Sequence, residues 1–107
     1  MQFKNIIITL AAVAVGVEGA VYDACKCHDR NTGLQNDWAT ERACNEYRDD
    51  IPARVKYYPD NHHACKPDTS VSDGDLIDNW LFDLKCWRQG EQFYQYCWGK
   101  KGPFDKQ

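Results

Sequence analysis

The 107-residue sequence carries 13 basic and 16 acidic side chains, for a net charge of -3. Nucleic-acid binders and cationic membrane-lytic peptides rely on clustered Lys and Arg, so neither class is expected from this balance. Six cysteines in so short a chain point instead to a disulfide framework formed in an oxidising compartment.

Residues 1–20 have the three-part layout of a secretory signal peptide: Lys4, the apolar run Ile6 to Val17, and small residues at Gly16, Gly19 and Ala20. The apolar run is too short for a bilayer-spanning helix, which takes roughly 20 residues. No second apolar run follows, so a soluble product with no membrane association is expected. Cleavage after Gly19 or Ala20 makes residues 21–99 a single disulfide-rich domain and 100–107 a flexible tail. Removing Lys4 and Glu18 with the leader leaves the charge at -3. The roughly 87 residues that remain bury only about 60 to 65% of their unfolded surface, so an apolar core alone is marginal and disulfides complete it. No Asn-x-Ser/Thr sequon is present.

Tyr22 to His28 reads as extended, with Cys25 and Cys27 on one face of a strand. Asn31-Thr32-Gly33 supplies a turn. Asn36 or Asp37 caps a helix in which Ala39, Ala43, Cys44 and Tyr47 recur at helical spacing, and Pro52 ends it. Ala53 to Tyr58 alternates as a half-buried strand, Pro59-Asp60-Asn61 turns, and His62 to Lys66 returns as a short strand. Ser72 or Asp73 caps a second helix, Asp75 to Gln89, whose apolar stripe is Ile77, Trp80, Leu81 and Leu84, with Phe82 and Cys86 beside it; Gly90 stops it. Gln92 to Trp98 is a last strand. The order predicts an α+β fold, a disulfide-braced βαββαβ sandwich whose antiparallel sheet carries both helices on one face. A mainly helical disulfide-rich domain with irregular middle loops is the alternative.

Cys25, Cys27, Cys44, Cys65, Cys86 and Cys97 allow fifteen pairings. Two of the six lie on helices, so helix-to-sheet bridges are expected, whereas Cys25 and Cys27 are too close along the chain to pair with each other. The clusters Cys25, Cys27, His28 and His62, His63, Cys65 do not follow the pattern of zinc sites, in which paired cysteines stand two to four residues apart and paired histidines three to five, so no metal and no cofactor is expected. His28, His62 and His63, with Asp29 and Asp60, are the candidates for acid-base chemistry, but no nucleophile elbow, phosphate loop or paired-carboxylate signature accompanies them. A small ribonuclease is the enzyme class to test first. In the last strand, Phe93, Gln95 and Cys97 point one way and Tyr94, Tyr96 and Trp98 the other. If Cys97 faces the helices, three aromatics line the opposite side of the sheet and form a candidate binding surface, with Trp87 as a further exposed candidate. The Lys100-Lys101 pair reads as a solvated tail or a processing signal.

The opening Tyr22-Asp23-Ala24-Cys25-Lys26-Cys27, the segment from Thr32-Gly33 through Asn36-Asp37 to Ala39-Thr40, the later Cys65, the Ile77-Asp78-Asn79 helix start and the closing Cys97-Trp98 form a layout that resembles small secreted cysteine-rich proteins of filamentous fungi classed as candidate effectors. The element order is similar to the killer-toxin-like effector fold, an α/β sandwich held by disulfides. A monomer is expected, and the resemblance implies a protein that is secreted into or around a host, acts by binding, and serves virulence, defence evasion or competition between microbes. It carries over no catalytic residue. The expected partner is a host extracellular protein or a cell-wall glycan, and the alternatives are a secreted toxin or small hydrolase, or an extracellular binder of a small ligand.

Overall fold

A computed structural model describes residues 20–60, 62–71 and 74–101, so the leader lies outside the described residues apart from Ala20. The strand β1, Val21–Asp29, is the axis of the fold. Along one edge it pairs antiparallel with β5, Phe93–Lys101, from Val21 opposite Lys101 to Asp29 opposite Phe93. Along its other edge it meets β4, Ile77–Asp78, at Val21 and Tyr22, then β3, Ala64–Pro67, at Cys25. The strand β2, Val55–Tyr58, closes that side by pairing with β3. All five strands form one antiparallel sheet, the α+β architecture expected.

The helix α1, Asp37–Asp50, begins where Asn36 accepts a hydrogen bond from the Ala39 amide at 2.8 Å, satisfying a donor that a helix start otherwise leaves orphaned. Its first turn also takes over the edge of β1 where β3 stops. The Asn36 amide donates to the Cys27 carbonyl at 2.9 Å, and the Cys27 amide donates to Thr40 Oγ1 at 2.9 Å. The ladder therefore continues into a helix terminus, and no buried backbone group of Cys27 is stranded. Ala39, Thr40, Ala43, Cys44 and Tyr47 form the buried side of α1.

The second helix, α2 (Asn79–Arg88), starts later than the periodicity predicts. Its cap is Asp78, with its carboxylate accepting from the Trp80 and Leu81 amides at 2.9 and 3.0 Å, while the expected caps Ser72 and Asp73 lie outside the described residues. Ile77 and Asp78 pair with β1 as β4, and Asp75 is engaged with Arg54 well before the helix. The rotation of α2 also differs. Phe82 and Cys86 are fully buried, whereas Trp80 and Leu84, expected in the core, are 47% and 43% exposed. Phe82 and Cys86 are four apart and so share one face, and the bridge from Cys86 to Cys27 turns that face onto the sheet.

All six cysteines pair: Cys25 with Cys97, Cys27 with Cys86, and Cys44 with Cys65. The last two tie α2 to β1 and α1 to β3, so both helices are fastened to the same side of the sheet. The Cys25–Cys97 bridge instead joins two residues directly opposite each other on adjacent strands. The bridges close separations of 72, 59 and 21 residues, which by chain entropy correspond to about 4, 4 and 3 kcal/mol.

Between sheet and helices lie Phe82, Ile77, Val55, Tyr47 and Phe93, with the Tyr47 hydroxyl accepting from the Asp78 amide at 3.0 Å. A polar seam joins the helices, through Arg88 to Glu46 at 2.9 Å and Lys85 to Asp50 at 2.7 Å. The last strand runs two residues beyond the domain end expected at Gly99. Lys100 lies opposite Tyr22, and Lys101 opposite Val21 with its ammonium 3.3 Å from Asp23, so both lysines belong to the sheet. Gly99 has φ of +74°, and a Cβ there would fall 2.9 Å from that of Asp23, so a glycine is required at this crossing of β5 over β1. Residues 102–107 lie outside the described residues.

Candidate functional site

Paired residues of an antiparallel sheet point to the same side. The bridges to the helices commit Cys27 and Cys65 to the helix side, and Cys25 and Cys97 share it by alternation and pairing, so the residues between them face outward. From β1 these are Ala24, Lys26 and His28; from β5, Tyr94, Tyr96 and Trp98; from β3, Ala64 and Lys66; from β2, Lys56 and Tyr58. This is the position expected for Tyr94, Tyr96 and Trp98. His28 and the lysines that join it were not singled out as part of a surface from the sequence.

The rings form a continuous row. The Arg30 guanidinium lies 4.9 Å from the centre of the Tyr94 ring, Tyr94 is 5.9 Å from His28, and His28 stacks on Tyr96 at 4.4 Å with the planes 13° apart. Tyr96 is 6.2 Å from Trp98, against which His62 packs edge-on at 5.9 Å. Tyr96 is half exposed, while Ala24 and Ala64 are fully buried on this side of the sheet. Small residues on the sheet thus leave room for the large ones to lie over it.

Beneath Trp98 sits Lys26, only 8% exposed, with its ammonium 5.2 Å from the ring centre. The ammonium donates to Gln35 Oε1, and the Gln35 amide donates to Asp37 at 3.0 Å. His63 Nδ1 lies 3.5 Å from the other oxygen of Asp37. Burial pulls the Lys26 pKa down, partly countered by Asp37, and His28 is lowered by burial and by the charge of Lys26. His28 is therefore held toward its neutral form, which suits a ring stacked between aromatics.

His62 and His63 occupy the β2–β3 turn with φ of +67° and +52°. The left-handed region costs a non-glycine residue about 1 to 2 kcal/mol, and two in succession is unusual. The turn aims one imidazole at Trp98 and the other at Asp37. Of the carboxylates considered beside the histidines, Asp29 is occupied in its own turn, accepting from the Asn31 amide at 2.7 Å. It is Asp37, at the start of α1, that meets a histidine.

Trp87 is 53% exposed, but on α2, where it continues the outward stripe of Trp80 and Leu84. It belongs to the helix layer and does not join the row of rings on the sheet. A separate open cleft of about 400 Å³ is lined by Val21, Tyr47, Ile51, Pro52, Ala53, Asp75 and Leu76. Its polar groups are already engaged: Asp75 holds the Arg54 guanidinium and amide at 3.1 and 2.7 Å, and the Tyr47 hydroxyl holds Asp78.

Residues 22–96 match a family described as a family of unknown function, DUF5948. The chain belongs to that family. The DUF5948 match begins in β1 and ends in β5, so it takes in both helices, five of the six cysteines, and Lys26, His28, Tyr94 and Tyr96. No curated protein and no solved structure matches the chain. Among the described residues, no helix is long and apolar enough to cross a membrane, and no group of three or more His, Cys, Asp or Glu side chains is placed to hold a metal.

Proposed function

We propose that this member of DUF5948 is a secreted, non-enzymatic, effector-like protein that binds a host extracellular protein or a cell-wall glycan through the outer face of its sheet. One observation carries the reading: the unbroken row Tyr94, His28, Tyr96, Trp98 on the solvent side of β1 and β5. Aromatic rings offer large contact area at little entropic cost, and their electron-rich faces attract cations and the polarised C–H bonds of a sugar. The Cys25–Cys97 bridge lies directly beneath the row and joins the two strands that carry it, so the surface is held in shape before any partner arrives. Three disulfides in a small domain suit an extracellular setting, and the layout of the chain is similar to fungal candidate effectors.

The test is binding by a Tyr96→Ala, Trp98→Ala double variant of the oxidised protein, measured on glycan arrays and in pull-downs from host extracellular fluid. Loss of binding with all three disulfides and the circular dichroism spectrum intact supports the reading. Unchanged binding by the folded variant sinks it.

A second reading, a small ribonuclease, has one observation in its favour: Lys26, His28 and His62 gather around Tyr96 and Trp98, where a general acid, a general base and a cation could act on one phosphodiester. RNA cleavage that disappears in both His28→Ala and His62→Ala would replace the first reading with this one.

A further inference from the structure

The net charge of -3 conceals a segregation that only the fold creates. On the outer side of the sheet, the strand positions 24–28, 56–58, 64–66 and 94–98 supply Lys26, Lys56 and Lys66 and no carboxylate, and Arg30 extends the set over Tyr94. The helix layer takes up much of the acid, including Glu46, Asp50 and Asp83, and each of these three already has a partner: Arg88, Lys85 and the Gln95 amide.

Lys56 and Lys66 stand directly opposite each other in the β2–β3 pair. Like charges in that position destabilise a sheet. Among the described residues neither lysine has an ion-pair partner. Asp68, the carboxylate that feels the charge of Lys56, is folded back to accept from the Ser70 amide and hydroxyl at 2.9 and 2.6 Å. The Lys56 ammonium lies 5.7 Å from the Tyr58 ring centre, so cation and ring alternate here as they do at Arg30 with Tyr94 and Lys26 with Trp98.

We propose that the ligand of this face is an acidic glycan, a chain of sugar rings bearing carboxylates. The inference rests on the glycan branch of the function proposed above and specifies its chemistry. Sugar rings lie against the exposed faces along the row from Tyr94 to Trp98. Their carboxylates pair with Arg30, Lys56 and Lys66, relieving the repulsion between the two lysines. Lys26, fixed under Trp98, adds positive potential from below. A nucleic acid offers the same charge, but the row does not suit base readout. His28 and Tyr96 already stack on each other at 4.4 Å, which leaves no slot for a base between them. The cations are mainly lysines at modest density, and three disulfides fit an extracellular compartment, where acidic polysaccharides abound and RNA is scarce.

The probes are polygalacturonate, the same polymer with its carboxylates methyl-esterified, an uncharged β-glucan and single-stranded poly(U), each titrated against the oxidised protein by calorimetry. Polygalacturonate should bind, weaken about tenfold on esterification, weaken by about the same factor in Lys56→Glu, Lys66→Glu, and weaken further as salt is raised. Trp98→Ala should weaken it without altering the slope of that salt dependence. Equal binding of the acidic and esterified polymers, or of the β-glucan, would overturn the charge inference while leaving a glycan-binding face in place. Tighter binding of poly(U) would overturn it in favour of a nucleic acid. Binding to none of the polymers, with a host protein captured by the same face, would overturn the inference and leave the protein branch of the function standing.

Discussion

The two sides of the sheet solve different problems. On the helix side, almost every strong group is spoken for within the molecule: Cys27 and Cys65 are bonded to helices, Thr40 serves the Cys27 amide, and Asp83 serves the Gln95 amide. On the outer side, rings and ammonium groups alternate with few fixed partners, and Lys56 opposes Lys66. The inner side spends its residues on holding one arrangement together, and that stability allows the outer side to carry a pattern that does little for folding. A change inside should therefore appear as lost stability, and one outside as lost contact.

The largest effect should come from cutting the covalent tie between the layers. Replacing Cys27 and Cys86 together by alanine should cost about 4 kcal/mol, close to the whole stability of a domain this size, and denaturant unfolding followed by tryptophan fluorescence should register mostly unfolded protein. Next, two aromatics of one helix should separate cleanly. Phe82→Ala, which empties a fully buried site, should cost about 3 to 5 kcal/mol, whereas Trp80→Ala, at an exposed site, should cost under about 1 kcal/mol in the same experiment. Comparable losses at the two positions would mean that α2 is rotated toward the stripe that the sequence periodicity suggests.

Acidification should produce the smallest and most divided effect. His28 has its pKa lowered below 6.5 by burial and by Lys26, so the unfolded chain takes up its proton first, and stability should begin to fall as pH drops through about 6.5. The inner and rim carboxylates respond later. For Glu46, burial pushes the pKa up, but hydrogen bonds from Gln89 and Arg88 outweigh it; Lys85 lowers Asp50, and Arg54 lowers Asp75. Their contributions are present above about pH 4 and are lost as pH falls through the lowered values. Melting curves between pH 7.5 and 3 should show both steps, and His28→Gln should remove the first and keep the second.

Much of the scaffold was legible because its signals are local. The Asn36 cap, the proline stop after α1 and the alternation of Phe93 to Trp98 each depend on residues a few positions apart, and each appears in the fold. The outward turn of Lys26 and His28 could have been read the same way, since Cys25 and Cys27 point inward and alternate residues in a strand point oppositely. The inclusion of His62 could not, because it depends on two left-handed residues in a turn that aim a side chain across two strands at Trp98.

By itself, the sequence determined the oxidised framework, the element types and which residues of β5 share a side, because capping, proline geometry and period-two alternation act over short range. The tertiary structure alone decided which cysteines pair, how α2 is rotated, that Ile77–Asp78 joins the sheet, and that Lys26, Lys56 and Lys66 share its outer side. Those outcomes depend on groups tens of residues apart meeting at a few ångströms, and local pattern carries no record of that meeting.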